Sequence, residues 1–288
     1  MRAVAIVSDS THYLPRDLIR AAGVSEVSLY VHNGTRQERE IDVSDYAAFY
    51  AGVARGSELP STSQPSIGDF TAVYGPLLDA GHDIVSIHLS AGVSGTHGAA
   101  LQAKALLDER DGEGRIEVVD SHSACGGLGC VVLAGAAVAK AGGNVDEVVA
   151  RAHSAASAMR LWFCVDTLEY LQRGGRIGRA QAWLGGALQI KPILSIESDI
   201  VPVERVRTAG RAFERMVEYM RTLQADGSDA WVVQHIQAAE KADALVARGR
   251  DVFGSDPVWV SEVGPVIGTY TGPGLVGVGG LPSALLAA

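Results

Sequence analysis

Hydroxyl-bearing residues crowd the stretch Ser86-Ile87-His88-Leu89-Ser90-Ala91-Gly92-Val93-Ser94-Gly95-Thr96, and the chemistry they offer is that of an anion site. Ile84, Val85 and Ile87 to Leu89 read as a buried strand, and Gly98 to Leu107 as an alanine-rich helix. A strand that hands over to a helix leaves the first N–H groups of the helix unsatisfied, with the positive end of its dipole behind them. Ser90, Ser94 and Thr96 add neutral donors, which can hold a carboxylate or phosphate without a permanent counter-charge. Ser94 serves equally well as a simple N-cap, so this stretch alone leaves both roles open.

Other chemistries are bounded by the same kind of inspection. Gly92-Val93-Ser94-Gly95-Thr96 departs from the hydrolase nucleophile elbow, because Thr96 stands where its last glycine belongs. His97 and His122 could act as bases, which keeps a serine-dependent acyl hydrolase using Ser94 as the alternative from another class. The eight histidines show no H-E-x-x-H or other close ligand spacing, and no Walker loop is present, so neither a metal nor ATP held in that way is expected. Gly272-Pro273-Gly274-Leu275-Val276-Gly277 matches G-x-G-x-x-G, but 11 residues cannot supply the rest of a dinucleotide-binding unit.

The elements that must position these residues alternate along the chain. Ala3 to Val7 reads as a strand ending in Ser8-Asp9-Ser10-Thr11, followed by a helix entered near Pro15. Val24 to His32 reads as a strand paired with Arg36 to Ile41 through Asn33-Gly34, and Ser44 as the cap of a helix over Asp45 to Ala54. Glu58 to Ser63 reads as a loop, Ser66 with Asp69 as a capping box for Phe70 to Leu78, and Arg115 to Val119 as a strand ending in Asp120-Ser121-His122-Ser123. Helices follow at Gly127 to Ala141 and, capped by Asn144 with Glu147, at Val145 to Met159. This alternation predicts a parallel sheet with helices on both faces, whose ligands gather at the strand ends marked by Ser8, Ser90 and Asp120.

From Leu161 the pattern changes. Strands at Leu161 to Val165, Ile190 to Ile196, Val201 to Val206, Trp231 to His235 and a last one at Val258 to Val263 mix with helices at Ala209 to Leu223 and Ala238 to Arg248. Asp166 is placed to cap a short helix at Thr167 to Gln172, and Arg173-Gly174-Gly175-Arg176 forms a basic turn. Ala180 to Leu188, around Trp183, reads as an apolar helix of small residues. The chain is therefore expected to divide into two α/β domains, 1–160 and 161–288, the second with a mixed or antiparallel sheet.

Composition narrows the class. A chain of 288 residues with 47% hydrophobic and 20% charged residues can build a substantial core. The net charge of −9 argues against nucleic acid as a partner. Three cysteines without a C-x-x-C pair argue against a disulfide framework or a structural zinc site. The apolar run from Cys130 ends at Lys140, short of the roughly 20 residues of a membrane span, so the expectation is a soluble, cytoplasmic protein.

In order along the chain, several short segments resemble the DegV family of fatty-acid-binding proteins. They are Val7-Ser8-Asp9-Ser10-Thr11, Thr62-Ser63-Gln64-Pro65-Ser66 with Gly68-Asp69-Phe70, Leu89-Ser90 with Ser94-Gly95-Thr96, and Val119-Asp120-Ser121 with Gly127 and Gly129. The series continues with Asp166 to Leu171, Arg173-Gly174-Gly175-Arg176-Ile177, Ile190 to Leu194, and Gly264 to Thr269 with Gly272-Pro273-Gly274. The resemblance implies one long-chain fatty acid between two α/β domains, with no cofactor and no catalytic residue in this chain. A partner kinase would convert the presented carboxylate to an acyl phosphate.

By the match, Thr62 and Ser94 are the carboxylate donors, joined by Tyr270 where the family usually has His after Gly-Thr. Tyrosine can donate one neutral hydrogen bond but has no cationic form near pH 7. Ser63, Ser90, Gly95, Thr96, Asp120, Ser121, Arg173 and Arg176 fall in the supporting polar network or at the kinase-docking surface. Trp183, Leu184, Ala187, Leu188 and Ile193 are expected to line the tail tunnel, and Cys125 replaces a common Ser.

Overall fold

The computed structural model describes residues 2–55, 60–108, 114–184 and 190–288. Strand β1 (Val4–Asp9) leads through a tight turn to helix α1 (Arg16–Ala22), with Pro15 at its N-cap position. There follow β2 (Val24–Val27), β3 (Tyr30–Asn33), β4 (Arg36–Arg39), α2 (Tyr46–Arg55), β5 (Ser61–Ser63) and α3 (Ile67–Asp79). Next come β6 (Asp83–His88), α4 (Thr96–Asp108), β7 (Ile116–Asp120), α5 (Cys125–Lys140) and α6 (Val145–Ala158). The remainder comprises β8 (Arg160–Cys164), α7 (Glu169–Arg173), β9 (Lys191–Glu197), β10 (Asp199–Val206), α8 (Ala209–Ala225), β11 (Ala230–His235), α9 (Ala239–Phe253), β12 (Trp259–Glu262), α10 (Pro265–Thr271) and β13 (Val276–Leu281).

These elements form an α/β fold with two main sheets. The first is parallel, in the order β2-β1-β6-β7, with α3 and α4 on one face and α5 and α6 on the other. The second, in the order β10-β9-β8-β13-β11-β12, is antiparallel apart from the β11–β12 pair. Helices α8 and α9 cover its outer face, and α5 lies against its inner face. A Cβ on Gly126 would stand 2.8 Å from Val232 Cγ2 in β11, and one on Gly135 3.1 Å from Ile87 Cδ1 in β6, so glycines let α5 approach both sheets.

Several local expectations hold and several are corrected. The hairpin through Asn33-Gly34 forms, and both capping boxes are present, Ser66 with Asp69 and Asn144 with Glu147. The expected strand from Val24 to His32 is instead two strands. It breaks at Ser28 and Leu29 because the Leu29 N–H donates to Ser10 Oγ and its carbonyl accepts from Glu40 N. Asp45, not Ser44, caps α2, accepting from Ala48 N at 2.8 Å. Asp166 caps nothing: it pairs with Lys191 at 2.6 Å, and Thr167 Oγ1 accepts from Glu169 N instead. Val258 to Val263 is not the last strand, since β13 follows and sits in the middle of the second sheet.

Helix α10 is held by residues from the opposite end of the chain. The Glu40 carboxylate accepts from Val266 N at 2.8 Å, Tyr13 Oη at 2.7 Å and Ser10 Oγ, while Tyr50 Oη donates to the carbonyls of Val263 and Gly264. Glu40 thus supplies the cap that Gly264 cannot. Burial raises its carboxyl to about 7 despite these hydrogen bonds. Because the folded value lies above the unfolded one, the proton contributes stability below about pH 4.5, and this is lost as the pH rises through about 7. At about 1.4 kcal/mol per unit, the loss is on the order of 3 kcal/mol. Glu40→Gln should remove this dependence, so in urea unfolding at pH 5 and pH 8 wild type should lose stability relative to the variant; parallel behaviour of the two proteins would refute the assignment.

Candidate functional site

Between the two sheets lies a cavity of about 340 Å³. Its floor is the inner face of the second sheet, contributed by Leu161 and Phe163 of β8, Ile196 of β9, Ile200 of β10, Val232 and Gln234 of β11, and Gly277 of β13. Its sides are Ala124 and Cys125 at the start of α5, Leu89 and Val93 after β6, and Val266, Ile267 and Tyr270 of α10. The volume falls at the lower end of the roughly 300–1,000 Å³ usual for small-molecule sites. Apolar walls with a few grouped polar side chains suit an amphiphile.

The polar groups come from one strand, two loops and one helix. Antiparallel pairing of β5 with β3 sets Thr62 opposite Val31, and Thr62 Oγ1 lies 2.6 Å from Tyr270 Oη. Ser63 Oγ lies 2.9 Å from His32 Nε2. Ser94 Oγ lies 2.9 Å from Thr96 Oγ1 and accepts from Thr96 N at 3.3 Å, at the start of α4. The Arg176 guanidinium sits 4.7 Å above the Tyr270 ring centre, with Nη1 donating to Gly174 O. A shallower depression of about 430 Å³, lined by Pro60, Ser61, Arg173, Gly174, Arg176, Thr269 and Tyr270, adjoins this polar end and shares Arg176 and Tyr270 with the cavity.

Thr62, Ser63, Ser94, Gly95, Arg176 and Tyr270 therefore converge on one cavity, and Arg173 lies in the outer depression, ion-paired with Glu169. Other expected network residues stitch loops together. Ser90 Oγ donates to Ser198 O at 2.6 Å in the turn between β9 and β10, tying the two sheets. Asp120 accepts from His122 N and Ala91 N, and Ser121 Oγ donates to Ser123 O. Thr96 is buried and supports Ser94.

The expected tunnel residues need correction. Ile193 points to the outer face of the second sheet, in the core beneath α8 and α9, because strand alternation sends Leu194 and Ile196 inward. Trp183 and Leu184 do not line the cavity; Trp183 lies in a short 3-10 turn, Gly178–Trp183, with the Arg205 guanidinium 5.4 Å from its ring centre. Ala187 and Leu188 lie outside the described residues.

The residues that sequence reasoning missed are the sheet floor and Gln234, a buried amide that accepts from Gly126 N at the start of α5 and donates to Ser261 Oγ at 2.9 Å. Alternation within β8 and β11 was the available signal for the floor.

The partners of Ser94 give the hydrolase reading no support: among the described residues no histidine nitrogen hydrogen-bonds to it. Burial pushes the Cys125 thiol up, with the carboxylates of Glu40 and Asp9 adding to the effect, so this side chain is a poor nucleophile. Among the described residues no three His, Cys, Asp or Glu side chains are grouped to hold a metal ion. No described helix is long and apolar enough to cross a membrane.

An interlayer cavity with mainly apolar walls and several hydroxyl side chains has the form of a site for an amphiphilic small molecule. The chain belongs to the DegV family, whose model, described as an uncharacterised protein of that family, matches residues 3–283. A DegV domain-containing protein of Streptomyces coelicolor is 43% identical over 281 residues, covering 96% of this chain and 98% of that protein. The crystal structure of DegV from Bacillus subtilis, described as a fatty acid binding protein, is 32% identical, with a TM-score of 0.88 over 98% of this chain and 100% of that one. A Thermus thermophilus family member, whose structure is described in terms of fatty acid binding, is 33% identical, with a TM-score of 0.85 over 97% and 99% of the two chains.

The stitching role of Ser90 can be checked directly. Ser90→Ala leaves the Ser198 carbonyl without its donor and should destabilise the protein by about 1–2 kcal/mol in denaturant unfolding. An unchanged midpoint would mean that the Ser90 hydroxyl contributes nothing to joining the sheets.

Proposed function

We propose that this chain binds a long-chain fatty acid, with its tail in the apolar cavity and its carboxylate at Thr62, Ser94 and Tyr270, and presents that carboxylate to a partner kinase for acyl-phosphate formation. The ligand then lies between two α/β units, 1–160 and 161–288. The observation that carries this reading is the make-up of the cavity, in which the hydroxyls of Thr62, Ser63, Ser94 and Tyr270 join Arg176 and a Gln234 amide already engaged by Gly126 N and Ser261 Oγ in an otherwise mainly aliphatic and aromatic lining. Fatty acid binding in the Bacillus and Thermus relatives supports it.

A carboxylate held there by neutral donors keeps its charge and nucleophilic oxygens. The adjoining depression with Arg173 and Arg176 gives a partner an approach to the polar end. Phosphoryl transfer would be the partner's work, the residues here only orienting the acceptor.

Native mass spectrometry of the freshly purified protein should show an intact fatty acid, and the protein should not turn over an activated ester. Thr62→Ala with Ser94→Ala should weaken binding at least tenfold, since hydrogen bonds to a charged group contribute about 1.5–3 kcal/mol each. Tyr270→Phe should weaken the acid more than an uncharged analogue of equal length. Equal affinities for all three proteins would remove these residues from the carboxylate site, and ester turnover lost in Ser94→Ala would favour the hydrolase.

A further inference from the structure

A row of paired residues runs across the second sheet, Leu194 opposite Phe163, Phe163 opposite Gly277, Gly277 opposite Gln234, and Gln234 opposite Ser261, and its three central members, Phe163, Gly277 and Gln234, belong to the floor of the cavity. Gly277 is the one position in this row without a side chain, and it lies on a central strand, where glycine weakens pairing.

The other inward-facing glycine of β13 has a steric reason. A Cβ on Gly279 would stand 2.5 Å from Met159 Cε and 2.8 Å from Arg160 O. On Gly280 it would stand 3.0 Å from Ala230 O. Gly277 differs: its φ is not positive, and a Cβ there would meet nothing closer than 3.4 Å, at Phe163 Cβ and Trp162 O, which is ordinary contact. Neither backbone conformation nor crowding by the protein therefore requires glycine, and the space that a side chain would take belongs to the cavity.

We infer that Gly277 is a specificity-determining residue: the ligand's tail crosses the sheet floor between Phe163 and Gln234, packed on the bare backbone of β13, and this notch sets how much acyl chain the cavity accepts. The inference rests on the fatty-acid reading given above. The mouth residues Thr62, Ser94 and Tyr270 are not in this row, so a side chain at 277 obstructs the tail and leaves carboxylate binding alone.

The test is a titration of wild type, Gly277→Ala and Gly277→Val with saturated acids from octanoic to octadecanoic, together with unfolding of delipidated wild type and Gly277→Ala. Acids too short to reach the notch should bind all three proteins alike. Beyond a break in the series, Gly277→Ala should bind roughly fourfold more weakly per displaced methylene, and Gly277→Val at least tenfold more weakly. Delipidated Gly277→Ala should be as resistant to unfolding as wild type or more so, because alanine restricts the unfolded chain. A loss independent of chain length, no loss at any length, or a destabilised Gly277→Ala would overturn the assignment while wild type still binds fatty acids. Failure of wild type to bind any acid of the series would overturn the fatty-acid reading as well.

Discussion

Helix α5 packs against both main sheets, and the positions of most other elements depend on how closely it can do so. Its central residues, Leu128, Val131, Val132 and Ala134, are wholly buried, so it has no solvated face along its middle. A helix in that position must be apolar all round and slim on two sides, which is why its sequence is Gly- and Ala-rich rather than amphipathic. Its first turn, where Gly126 N reaches Gln234, ends at the cavity; the sheets continue past this end while the helix does not. The cavity is the space between two sheets held at one helix diameter, beyond the point where the helix begins.

The polar end of that space is assembled across the chain rather than within one motif. Tyr270 belongs to α10, whose first N–H groups are satisfied by Glu40 and Tyr13 from the N-terminal part of the sequence. Thr62 belongs to a short strand whose register is set by β3. The 2.6 Å contact between Thr62 and Tyr270 therefore joins residues 208 positions apart, and its geometry depends on a buried carboxyl that touches neither of them. Glu40 sits in a costly environment, and its carboxyl caps α10, which forms one wall of the site.

Where local chemistry decides the structure, the sequence was readable. The Asn33-Gly34 hairpin and the boxes at Ser66 and Asn144 are settled by neighbours within four residues, and the alternation of strands and helices led to the parallel sheet. Long-range pairing was not readable. Val276 to Leu281 contains three glycines and resembles a loop, yet it is the strand that joins β8 to β11. Ile193 was assigned to the wrong face because strand parity is invisible until the register is known, and one residue of shift reverses every side chain. Of the candidate site, Ser94 was already marked by its hydroxyl-rich stretch and Thr62 and Tyr270 were reached through resemblance, whereas the three hydroxyl-rich strand ends could not be told apart by composition. A serine that donates to a carbonyl of the other sheet's turn, as Ser90 does, and a serine that faces a cavity, as Ser94 does, are the same residue in the same kind of turn.

The balance between the two ends of the cavity explains why such a site carries so little charge. A hydroxyl given up to a carboxylate returns about 1.5–3 kcal/mol per hydrogen bond. Each buried methylene contributes about 0.8 kcal/mol, so a long tail outweighs two or three such bonds. A buried arginine beside the carboxylate would add attraction at the expense of its own desolvation and, under the proposed function, would compete for the oxygens that a phosphoryl-transferring partner would have to reach. In the proposed reading, neutral donors orient the head group while leaving it reactive; of the two cationic side chains nearby, Arg173 stands in the outer depression, and Arg176, over the Tyr270 ring, borders both that depression and the cavity. Affinity assigned to the tail and orientation assigned to the hydroxyls could then be altered independently, a separation that the proposed presentation of the head group to another protein would use.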